Sequence, residues 1–159
     1  MIGNTLCMAS IDELIPLISE QLDAGHAVKL SPTGVSMLPM LRQGEDCVVL
    51  SPPPQVLRKY DIPLYRRENG QYVLHRVVKV SDKGYTCIGD NQFAVERGIA
   101  HAQVIAVVTA FTRGEKQYTV DCFSYKLYCR LWHWTRFLRR VLRAVKRRLD
   151  RIFNRLKKK

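Results

Sequence analysis

Asp61-Ile-Pro-Leu-Tyr-Arg66 and Tyr72-Val-Leu-His-Arg-Val-Val-Lys-Val80 flank Asn69-Gly70, and that arrangement decides the fold. Asn-Gly supplies the positive-φ positions that a tight turn between twisted strands requires. The runs on either side are rich in β-branched and aromatic residues, which suit a pleated, half-buried surface. The spacing predicts a β-hairpin. Pro63 places its first strand at an edge or a bulge, because proline offers no ladder hydrogen.

Working outward, the same signals recur. A short strand is expected over 26–31, then a Thr33-Gly34 turn. Asp46-Cys-Val-Val-Leu50 reads as a buried strand closed by Pro52-Pro53-Pro54, and Tyr85–Ile88 as a strand after the Asp82-Lys83-Gly84 turn. Gln103–Arg113 and Gln117–Cys122 complete the set across Gly114-Glu115. Many short strands without intervening helices predict a mainly β, compact antiparallel domain. Ahead of it, Leu14, Ile15, Ile18 and Leu22 recur at helical spacing behind a Ser10-Ile-Asp-Glu13 capping box, predicting a short amphipathic helix over 11–24 with Pro16 as its weak point. Behind it, Leu127, Leu131, Trp134, Leu138, Val141, Val145, Leu149, Ile152 and Leu156 fall at steps of three and four. Ser124–Lys159 is therefore expected to form one long helix with a single apolar stripe. The expected division is 1–25, an N-terminal amphipathic helix; 26–121, a β domain; and 122–159, a basic amphipathic C-terminal helix.

The chain has 159 residues and a net charge of +12. The charge is uneven: residues 1–121 hold 12 Lys/Arg and 13 Asp/Glu, whereas 122–159 hold 14 Lys/Arg and only Asp150. The five cysteines, without a CxxC spacing, argue against a disulfide framework or a zinc knuckle and favour a reducing compartment. No signal-peptide pattern opens the sequence and no apolar run of about 18 residues occurs. The expectation is a cytoplasmic protein without a spanning helix.

Ser31-Pro-Thr-Gly-Val-Ser-Met-Leu-Pro-Met-Leu41 sets a serine in a stiff turn. A serine hydroxyl is a poor nucleophile until a neighbouring base takes its proton. The turn around Gly34 and Pro39 would expose Ser36 and leave backbone N–H groups free for an oxyanion. The plain alternative is a surface-loop serine. His75 is the best-placed base, since a strand fixes its ring and imidazole titrates near neutrality. Strand alternation sets Val73, His75 and Val77 on one face and Leu74, Arg76 and Val78 on the other. His26, His101 and His133 lie at a junction, in a loop and in the basic tail. Two acids could orient the imidazole. Asp90, in Gly89-Asp90-Asn91, could instead stabilise its own turn. Glu96 could instead pair with Arg97. The spacing leaves both open.

These boxes resemble the type I signal peptidases. Gly34-Val-Ser36-Met37-Leu-Pro39 is similar to their Ser-Met-x-Pro nucleophile box. Tyr60-Asp-Ile-Pro-Leu-Tyr65 is similar to their Gly-Asp-Ile-Val-x-Phe strand, with Tyr60 where glycine is usual. His75-Arg-Val-Val78 resembles the box carrying the general base, in the histidine form of the archaeal and endoplasmic-reticulum enzymes. Gly89-Asp90-Asn91 resembles the last box. The resemblance covers roughly residues 26–110. It implies a signal-peptidase/LexA-like β domain and a serine endopeptidase that cleaves a leader or precursor peptide. It implies Ser36 as nucleophile, His75 as base, Glu96 or Asp90 as the third member, and Gly34, Met37 and Pro39 around the oxyanion and substrate. No metal or cofactor is implied. Two departures stand out: the family's N-terminal anchor is missing, and Gly34 replaces a serine that often assists the oxyanion hole. A self-cleaving LexA-like protein using Lys79 and a catalytically silent peptide- or membrane-binding module are the rival readings.

For the tail, an apolar stripe within an arginine-rich helix suits an anionic membrane surface, with Trp132, Trp134 and Phe137 at the interfacial zone. Residues 124–159 are thus expected to hold the protein peripherally on the cytoplasmic membrane. Packing on the β domain, a partner helix or an acidic substrate peptide are the alternatives. Nucleic acid is not expected as a partner, because no recognition motif accompanies the charge.

Overall fold

A computed structural model describes residues 11–156, with the side chains of 152 and 154–156 left aside. The order is α1 (Ile11–Asp23), β1 (Val28–Leu30), β2 (Cys47–Ser51), β3 (Pro63–Arg66), β4 (Tyr72–Leu74), β5 (Arg76–Ser81), β6 (Gly84–Ile88), β7 (Glu96–Ile99), β8 (Val104–Arg113), β9 (Lys116–Thr119), α2 (Phe123–Trp134) and α3 (Arg136–Leu156). The fold is mainly antiparallel β, as expected. The capping box at Ser10 and the opening segment with Cys7 lie outside the described residues. The four described cysteines are free.

Two sheets form. The larger runs β1-β2-β8-β3-β4, and the smaller runs β5-β6-β7. β8 is the spine: it pairs with β2 on one edge and with β3 and then β9 on the other. The hairpin at Asn69-Gly70 is present, pairing Leu64 with Leu74 and Arg66 with Tyr72. Gly70 takes a positive φ of 88° there.

The expected strand 72–80 is broken. β4 belongs to the larger sheet and β5 to the smaller, and His75 is the single residue between them. The alternation survives in part, since Val73 and Val77 meet the same apolar cluster, formed by Leu57, Tyr65, Tyr85, Cys87, Ile99, Val104 and Val107. Arg76 departs from it: it is only 2 % exposed, on a strand whose one other charge, Lys79, faces water.

The main core joins α1, the larger sheet, the Ser36 loop and α2. Leu14, Ile15, Ile18 and Leu22 share one cluster with Met37, Met40, Leu41, Val48, Leu50, Leu64, Val108, Tyr125 and Cys129. The expected boundaries at 25/26 and 121/122 therefore do not separate packing units; residues on both sides of each share this core. α1 continues through Pro16.

Two further expectations change. β7 forms where no strand is expected, since Glu96-Arg-Gly-Ile99 carries no apolar alternation to announce one. The tail is two helices, not one: α2 ends at Trp134, Thr135 leaves the helical range with a ψ of 1°, and α3 starts at Arg136. None of the described helices is long and apolar enough to cross a membrane.

Candidate active site

His75 is 1 % exposed, and its Nδ1 is fully committed. Glu96 Oε1 lies 3.0 Å away, and the Tyr65 phenol oxygen 3.3 Å away. Tyr65 donates its own proton to Glu96 Oε2 at 2.9 Å. Nδ1 thus faces only acceptors and must carry the ring hydrogen, which leaves the lone pair on Nε2. Among the described residues Nε2 makes no hydrogen bond. This is the tautomer a general base needs.

Glu96 is held from a second side by Arg67, whose Nε donates to Oε2 at 2.8 Å and whose Nη2 donates to Oε1 at 2.5 Å. Burial alone would raise the Glu96 pKa. The hydrogen bonds from Arg67 and Tyr65, with the charge of Arg67, outweigh burial and hold it below its ordinary value. Burial lowers the pKa of His75; Glu96 offsets this only in part, and Arg67 adds to it. The pair therefore rests as carboxylate and neutral imidazole at neutral pH.

Of the two acids the sequence left open, Glu96 is the one on His75. Its cationic partner is Arg67, not Arg97. Asp90 serves Arg76 instead: Arg76 Nε donates to Oδ1 at 2.8 Å and Nη2 to Oδ2 at 2.7 Å. It bonds neither its own turn nor the imidazole.

Arg76 ties the neighbourhood together. It also donates to Tyr125 Oη at 2.7 Å, Cys129 Sγ at 2.9 Å, Met40 Sδ at 2.8 Å and the Tyr60 carbonyl at 3.3 Å. Tyr128 of α2 donates to Asp90 at 3.2 Å, and the Trp132 indole to the Asp90 carbonyl at 2.9 Å. One buried guanidinium thus joins the base strand, the Ser36 loop, the Asp90 turn and α2. Tyr60 takes a φ of 81°, the left-handed region that favours glycine.

Ser36 is half-buried in a turn running from Gly34 (φ 85°). Asn91 clamps it: its N–H donates to the Ser36 carbonyl at 2.8 Å, and its side-chain amide to the Val35 carbonyl at 3.0 Å. The N–H groups of Val35, Ser36 and Met37 donate no hydrogen bond among the described residues. The carbonyl side of the turn is tied down and its N–H side is open, as an oxyanion site requires. Gly89 sits against this turn; a Cβ there would stand 2.7 Å from the Ser36 carbonyl. Gly89 directly follows Ile88, the β6 residue that pairs with Arg76 beside His75. No hydrogen bond joins Ser36 Oγ to the imidazole among the described residues.

The other expected site residues part company. Gly34 is exposed, and its N–H is spent on the Gln43 side chain at 2.9 Å. Met37 is 4 % exposed and packs in the main core, so its side chain does not line a substrate pocket. Pro39 is exposed, with its carbonyl bonded by Arg113. Lys79, the base of the LexA-like alternative, is exposed on β5. Sequence reading missed Tyr65, Arg67, Arg76 and Asn91. An arginine amid buried valines was a usable signal for Arg76; Arg67 had none, since its partner is 29 residues away in an unforeseen strand.

Comparison with protein-family models, with curated proteins and with solved structures found no match to this chain.

Proposed function

We propose that this chain is a serine endopeptidase that cleaves a leader or precursor peptide, built on a signal-peptidase-like β domain. Ser36 is the nucleophile, His75 the general base and Glu96 the carboxylate that orients it. The observation that carries the reading is the bonding of His75: a buried, neutral imidazole, its Nδ1 hydrogen fixed by Glu96 and Tyr65, and its Nε2 lone pair free.

In the reaction, Ser36 Oγ attacks the scissile carbonyl while Nε2 takes its proton. Glu96 balances the imidazolium, and the free N–H groups of the Ser36 turn hold the oxyanion. The imidazolium then protonates the leaving amine as the C–N bond breaks, leaving an acyl group on Ser36. Water, deprotonated by His75, releases the carboxylate product and restores the serine. By its resemblance, the site takes an extended peptide with small residues before the cut.

Mass spectrometry after treatment with a fluorophosphonate tests the assignment. The adduct is expected on Ser36 and should vanish in Ser36→Ala. Its rate should fall by roughly 10⁴ in Glu96→Gln, the cost of losing tautomer control, and by more in His75→Ala, which removes the base. Labelling at wild-type rate in His75→Ala would refute the mechanism.

A further inference from the structure

α3 meets the body of the protein through its arginines and leaves its apolar face bare. Arg136 donates to the Phe93 carbonyl at 2.6 Å. Arg139 donates to the carbonyls of Asp90, at 3.4 Å, and Trp132, and its guanidinium lies 3.5 Å from the Trp132 ring. Arg143 donates to the Asn91 carbonyl at 3.0 Å and to its side-chain oxygen at 2.6 Å, and stacks over Phe93. At 100° per residue these three arginines share one arc of the helix. Leu138, Val141, Leu142, Val145, Leu149 and Phe153 lie on another arc, and all six are exposed.

A helix that needed only to pack on its own domain would turn this stripe inward. Here the polar face is spent on backbone carbonyls. Arg148 and Lys146 flank the stripe on its two sides, and Arg140, Arg147 and Arg151 are exposed on the opposite arc, with Asp150 the one acid on the helix. An apolar band edged by cations on a strongly basic helix is complementary to an interface that is hydrocarbon below and anionic above. A protein groove would match the band but gains nothing from so many cations; nucleic acid would match the cations but leave the leucines bare.

We propose that α3 lies on an anionic lipid bilayer with its apolar face down, and that its arginine bonds to residues 90–93 hold the Ser36 turn, which Asn91 clamps, close to that surface. The docking stands apart from the peptidase reading; only the nature of what reaches Ser36, a peptide presented at the membrane, rests on it.

The test uses the full chain and sedimentation with vesicles of equal phosphatidylglycerol and phosphatidylcholine, against phosphatidylcholine alone. Binding to the anionic vesicles is expected to be more than tenfold tighter and to weaken with salt. The variant Leu142→Glu/Leu149→Glu should lose more than tenfold of that affinity, with unchanged circular dichroism and fluorophosphonate labelling. Equal binding to both vesicles would overturn the proposal, as would undiminished binding by the double variant. A wild-type chain that dimerises through α3, or binds duplex DNA, without binding vesicles would also overturn it. Loss of labelling with intact vesicle binding would instead count against the peptidase reading alone.

Discussion

Replacing Asp90 by alanine would strip the buried Arg76 of its counter-charge, and the consequence can be worked from the geometry. Both side chains are 2 % exposed, and the carboxylate takes two guanidinium hydrogens at 2.7–2.8 Å and a third from Tyr128. The remaining partners of Arg76 are a phenol, two sulfurs and a carbonyl, none of which carries a full negative charge. Breaking a buried pair from one side costs about 3–5 kcal/mol, because the surviving charge stays desolvated. Against a typical total of about 5–15 kcal/mol, that is a large share of the fold's stability. At about 2–4 °C per kcal/mol for a chain of this size, the melting temperature should fall by about 6–20 °C. Urea unfolding of wild type, Asp90→Ala and Arg76→Met/Asp90→Ala reads the effect. The double variant removes the orphaned charge and should recover part of the loss, a coupling that singles cannot imitate. An Asp90→Ala protein within about 1 kcal/mol of wild type would refute the reasoning. So would a normally stable Asp90→Ala protein whose labelling rate had collapsed, since that would make Asp90 the orienting acid.

Three further outcomes are expected. Burial lowers the His75 pKa, so the base stays neutral below the ordinary histidine value; the acid limb of the labelling rate should lie under pH 6.5, and a limb above that value would contradict it. The same sign governs stability: below pH 6.5 the unfolded chain takes up the proton more readily, so unfolding free energy from His75 falls as pH drops. At Tyr60 the left-handed backbone penalises any side chain by about 1–2 kcal/mol, so Tyr60→Gly should be more stable than Tyr60→Ala in thermal melts by about 1 kcal/mol, although both lose the same ring. In Gly89→Ala the new methyl would stand 2.7 Å from a carbonyl already bonded to Asn91; labelling of Ser36 should fall sharply, with destabilisation of about 1–3 kcal/mol, and an unchanged rate would show that the turn can yield.

The parts of this protein that were legible in its sequence are those governed by local chemistry. Asn69-Gly70 forces its hairpin, and the heptad-like spacing of Leu14, Ile15, Ile18 and Leu22 does bury one face of α1. The contacts at His75 were not legible in the same way. Choosing between Glu96 and Asp90 required knowing which strand lies beside β6, and β7 has too little apolar content to announce itself. The tail misled for a related reason. Its stripe is continuous across Thr135, but the aromatic residues Tyr125, Tyr128 and Trp132 turn toward Arg76 and Asp90, which no periodicity could reveal. Buried charge recruits its own shell, and that shell comes from distant positions.

The sealing of Arg76 by α2 also fixes an order of events during synthesis. Ser36, His75, Glu96 and all nine strands are made before Tyr125, Tyr128 and Cys129 leave the ribosome. Until they do, the guanidinium beside the imidazole has a carboxylate but no roof, and water can reach it. A nascent chain would therefore carry the Ser36 turn, His75 and Glu96 while lacking the helix that covers Arg76. Completion of that single late helix becomes the step that closes the buried charge off from solvent.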